Sequence, residues 1–117
     1  MKFIIISASI FAANCVAAQP DQGRLSGEYR YHGATLVDPP PGERQDTHLG
    51  LTLEGNAARD LYRHMTAEAE KDLCLDDGSL SKTQGGIRCV ELTDHASWRC
   101  EFAIRLDTQQ LIADGTC

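Results

Sequence analysis

The sequence predicts an α+β fold: a small antiparallel sheet of about five strands, ordered β-β-α-β-β-β, with one helix packed on one face and two disulfides. Three observations carry this expectation. Apolar residues alternate with period two in several short runs. One run in the middle switches to helical spacing. An even number of cysteines remains once an N-terminal leader is set aside. At 117 residues the chain has room for one domain.

The leader comes first. Met1-Lys2 is followed by the apolar stretch FIIISASIFAA, residues 3–13, and then by the small residues Val16-Ala17-Ala18. The stretch is too short to span a bilayer as a helix and suits a cleaved signal peptide, residues 1–18. Cys15 is preceded by Asn14 where lipidation wants a small residue, so soluble export is expected rather than a lipid anchor. Residues 19–117 then form one globular domain, periplasmic or secreted, with no membrane span. The whole chain has 11 Lys and Arg against 17 Asp and Glu, a net charge of −6. Loss of Lys2 with the leader takes it to −7. Such an acidic chain lacks the basic stripe of a nucleic-acid binder.

LSGEYRYH, residues 25–32, alternates and reads as the first strand. DPPPGERQD, residues 38–46, cannot be regular structure, because consecutive prolines remove donors and fix φ. THLGLTL, residues 47–53, puts Leu49, Leu51 and Leu53 on one face of a half-buried strand. Asn56 is then expected to cap a helix whose stripe is Ala57, Ala58, Leu61, Tyr62 and Met65. Residues 80–84 and 87–92 flank Gly85-Gly86, the signature of a two-residue hairpin turn. SWRCEFAIRLD, residues 97–107, alternates cleanly, and Leu111-Ile112-Ala113 can add a short last strand.

The register of the last hairpin fixes a cysteine pairing. Four cysteines, Cys74, Cys89, Cys100 and Cys117, allow three pairings. If residues 93–96 are a four-residue loop, Leu92 faces Ser97, and further down the same ladder Cys89 faces Cys100. That leaves Cys74 for Cys117. Two disulfides in a small domain fit an oxidising compartment.

No enzyme signature is present. GxSxG and HExxH are missing, no CxxC suggests zinc, and no cysteine stays free for nucleophilic work. No catalytic residue, metal or cofactor is assigned. Binding remains, and two loops stand out. The proline-stiffened loop presents Glu43 and Arg44, and the tip of residues 93–96 presents Asp94 and His95 above the Cys89–Cys100 bridge. These four are the expected partner-binding residues. A small-ligand or metal carrier built on His32, His48 and Asp46 is the alternative that needs those three to cluster. An envelope structural or adhesive module is another.

The segments CLDDGSLSKTQGGIRCVELTDHASWRCEF and THLGLTLEGNAARDLY resemble a group of small exported Gram-negative proteins without an assigned function. In size, export signal, disulfides and β-rich domain, the chain is similar to periplasmic lysozyme inhibitors and to immunity proteins against type VI amidase effectors. The SGxxY motif of some lysozyme inhibitors does not carry over, since Ser26-Gly27 is followed by Tyr29 and Tyr31. The likeness implies an exported, non-enzymatic inhibitor or immunity protein whose partner is a basic peptidoglycan hydrolase or toxin.

Overall fold

The structure is a computed structural model and describes residues 22–114. The expected leader and Cys117, with its expected bridge to Cys74, lie outside the described residues. The fold is α+β, as read from the sequence. Seven strands form one antiparallel sheet: β1 Ser26–His32, β2 His48–Glu54, β3 Glu70–Lys71, β4 Leu80–Gln84, β5 Ile87–Glu91, β6 Trp98–Arg105 and β7 Gln110–Ile112. Among the described residues there is one helix, α1 Gly55–His64, which follows β2 directly. The strand order is β1-β2-β6-β5-β4-β3, and β7 pairs with β6 beyond the end of β5.

β3 is not expected from the sequence, whereas the short last strand offered by residues 111–113 forms as β7, one residue earlier. β3 falls in an acidic stretch without alternation. It forms because Glu70 and Lys71 reach Ser81 and Leu80 of β4. β7 forms because residues 106–109 turn the chain back onto β6. The helix also starts two residues early. Glu54, in extended conformation, holds the cap position without a side-chain cap bond, so Asn56 lies inside the first turn.

The last hairpin has the register read from the sequence. Leu92 N–H donates to Ser97 C=O, and Cys89 lies opposite Cys100. The two are joined by a disulfide with Cα atoms 4.0 Å apart. The alternation of bonded pairs makes this a non-hydrogen-bonded pair, where side chains approach most closely. Both cysteines are fully buried and sit under α1 with Ala58, Tyr62 and Met65. Leu53, Leu61, Ile87 and Trp98 pack around them. Lys82, on the same face, reaches the C-terminal end of the helix. Its Nζ donates to the carbonyls of Tyr62 and Met65 at 3.1 and 3.3 Å, and lies 4.5 Å from the centre of the Tyr62 ring. A cation there satisfies carbonyls that the helix leaves open.

The opposite face is not simply wet. Ala103 points away from α1 yet is fully buried. Chain beyond β7 brings Asp114 over the neighbouring Gly50, where any Cβ would collide with its carboxylate. On the same face the β3–β4 connection folds back so that buried Asp72 meets Arg88 at 2.5 Å. Arg88 also donates to Glu101.

Candidate interaction site

The expected partner-binding residues sit at opposite ends of the sheet. Glu43 and Arg44 belong to the connection between His32 and His48, at the end where β6 finishes with Arg105. Asp94 and His95 belong to the connection between Glu91 and Trp98, at the other end. The structure does not bring the two pairs together.

Each loop is also engaged with itself. Arg44 makes two parallel bonds of 3.0 Å to Asp46, through Nε and Nη2. That contact raises the guanidinium further and holds the Asp46 carboxyl below its ordinary value. Glu43 is half-buried. It accepts from Thr35 Oγ1 at 3.0 Å, and its backbone N–H donates to Pro40 C=O. Asp94 accepts from Ser97 Oγ at 2.6 Å and from the N–H groups of Ala96 and Ser97. The Ser97 hydroxyl, then the Ala96 N–H, lower its pKa. His95 has φ 52° and pairs through Nδ1 with Glu91 at 3.1 Å.

His32 and His48 do come together. They are register partners at the ends of β1 and β2, and their rings stack 5.1 Å apart. The carboxylate beside them is Asp114, not Asp46, which turns to Arg44. Asp114 Oδ1 lies 3.3 Å from both His32 Nε2 and Arg30 Nη2. Each imidazole spends its Nδ1 locally, His32 on Gly33 C=O and His48 on Thr47 Oγ1, both at 2.7 Å. Among the described residues no group of three or more His, Cys, Asp or Glu is arranged to hold a metal ion. Beside this cluster lies an open polar cleft of about 280 Å³, between Glu28, Arg30, Thr52, Glu101 and Asp114.

The feature that loop-reading misses is the bare half of the sheet's apolar face. Cross-strand partners share a face, so Tyr29, Leu51 and Phe102 form one row. Tyr31, Leu49, Ile104 and Leu111 form the next. The helix lies over β2, β5 and β6 around Leu53 and Cys100, away from these rows. Tyr29 is 72% exposed, Tyr31 57% and Leu111 41%. The two tyrosine rings meet edge-on, 6.2 Å between centres. The signal was present in the sequence as Tyr29 and Tyr31 in one alternating run, two apolar residues on a strand next to the all-leucine face of β2.

Among the described residues no helix is long and apolar enough to cross a membrane. The buried disulfide suits a non-reducing environment. No family model, curated protein or solved structure matches the chain.

Proposed function

We propose that this is an exported, non-enzymatic binding protein that inhibits a basic cell-wall hydrolase, docking it on the bare aromatic half of the sheet face. The observation that carries the reading is the row of exposed Tyr29 and Tyr31 beside Leu49, Leu51, Phe102 and Ile104. Contiguous apolar surface of this kind marks interaction sites, and tyrosine is enriched where partners bury each other. The excess of carboxylates favours a basic partner, since opposite fields raise association rates.

Two features favour binding over chemistry. Among the described residues every carboxyl that departs from its ordinary range is shifted down: Asp46, Asp72, Asp77 and Asp94. A general acid needs the opposite shift. Each of the four is also tied to a hydrogen-bond donor in its own loop or strand neighbour. The test is clearing of a peptidoglycan suspension by a panel of lysozymes and amidases, with and without the oxidised protein. Stoichiometric, salt-sensitive block of one hydrolase is the expected result. Undiminished clearing by every member of the panel contradicts the reading.

A further inference from the structure

We infer that the β1 edge pairs with the β1 edge of a second copy of this chain, in antiparallel register about Tyr29. The argument begins with the edge strands of the sheet. Two are short: β3, two charged residues long, and β7, three residues long, offer little to a partner strand. The third is β1, seven residues paired without interruption to β2 and, among the described residues, open on its other side. Its residues Ser26–Tyr31 are all exposed. It carries no proline, and its charged side chains point out of the sheet rather than along its edge.

The main chain of β1 is set up for such pairing. Leu106 N–H donates to Thr47 C=O, so odd-numbered residues of β2 bond to β6 and even-numbered ones to β1. In β1 the residues bonded to β2 are therefore Ser26, Glu28, Arg30 and His32. Gly27, Tyr29 and Tyr31 turn their N–H and C=O groups to the open edge. A two-fold axis through Tyr29 places Tyr29 opposite Tyr29 and Gly27 opposite Tyr31 of the second copy. All of these are outward-facing residues, giving about six main-chain hydrogen bonds.

The side chains select the same register. Glu28 then lies opposite Arg30 of the second copy, and Arg30 opposite its Glu28. Oppositely charged partners directly across a ladder stabilise it, and like charges oppose it. Glu28 pairs with no cation among the described residues. Arg30 gives only Nη2 to Asp114, and its side chain is 60% exposed. A shift by one residue would set outward main-chain groups against inward ones and lose both ion pairs. The tyrosine rings stand above the sheet plane, so pairing at the edge leaves the proposed hydrolase surface open and doubles it across the axis.

Sedimentation velocity on the purified protein, from micromolar concentration to about 1 mM, tests this. Strand-edge interfaces are small and weak, so association is expected within that range. Glu28→Arg sets four arginines around the axis and is expected to weaken dimerisation at least about tenfold. Arg30→Glu does the same with glutamates. An equimolar mixture of the two variants restores every opposite-charge pair and is expected to recover wild-type association. Because the exposed Glu28 side chain makes no hydrogen bond or ion pair among the described residues, Glu28→Arg decides the matter even if Arg30→Glu disturbs Asp114. A monomer throughout, a dimer indifferent to Glu28→Arg, or a mixture of two folded variants that fails to recover each overturns the inference. None of these outcomes bears on hydrolase inhibition, which is read in a separate assay.

Discussion

The apolar face of the sheet has two halves built from the same three-strand pattern and used differently. Under α1, Leu53, Cys100 and Cys89 form a row that the helix closes with Ala58, Tyr62 and Met65. Further along the same strands, the rows Tyr29–Leu51–Phe102 and Tyr31–Leu49–Ile104 lie outside the cluster that the helix closes, and Tyr29 and Tyr31 are exposed. The difference is one of position along the strands, since Leu53–Cys100, Leu51–Phe102 and Leu49–Ile104 are successive pairs of β2 and β6. The helix is placed by its immediate connection to β2, so it covers the end where β2 finishes. The covered half holds the fold together, and the bare half is the surface proposed for a partner.

Substitutions that separate the halves rank as follows. Tyr62→Ala removes a buried ring from the covered half, together with its contact to Lys82, and is expected to cost about 3–5 kcal/mol in urea denaturation. Replacing both Cys89 and Cys100 by alanine opens the bridge beneath it. The expected loss is about 3 kcal/mol, with no change in the order of the strands. A smaller effect would mean that the helix, not the bridge, fixes this half.

Asp72→Asn probes the opposite face and is expected to cost about 2 kcal/mol at neutral pH, because Arg88 is left with a weaker acceptor. Burial pushes the Asp72 carboxyl up, but Leu75 N–H, Arg88 and Ser81 together hold it below its ordinary value. A carboxyl lowered in the folded state stabilises fully above its unfolded pKa and loses that contribution as pH falls through the folded value. The gap between wild type and Asp72→Asn should therefore close below about pH 4. The smallest effect on stability is expected in the bare half. Tyr29→Ala and Tyr31→Ala each change it by about 0.5 kcal/mol or less, since both rings are already in water.

The sequence made the covered half legible and the bare half illegible for the same reason. Alternation in residues 97–107 and a four-residue loop were enough to set Cys89 against Cys100. The stripe Ala58, Tyr62, Met65 was enough to find the helix face. Neither pattern says how far along the sheet a helix extends, because periodicity reports a side chain's direction and not what lies opposite it. His32 and His48 could be expected to meet as strand-end neighbours, but Asp114 could not. It arrives through β7, whose three residues carry almost no pattern, while Asp46 is captured two residues away by Arg44. The loop residues looked available because the sequence does not show that Thr35 holds Glu43 or that Ser97 holds Asp94.

The most direct test of the division between the halves compares two double variants in the peptidoglycan-clearing assay, using a hydrolase that the wild-type protein blocks. Tyr29→Ala/Tyr31→Ala alters the bare half, and Arg44→Ala/His95→Ala alters the two loops. Inhibition lost with the tyrosines and kept with the loop pair is the predicted result. Inhibition kept without the tyrosines and lost with Arg44 and His95 would contradict it and return the site to the loops.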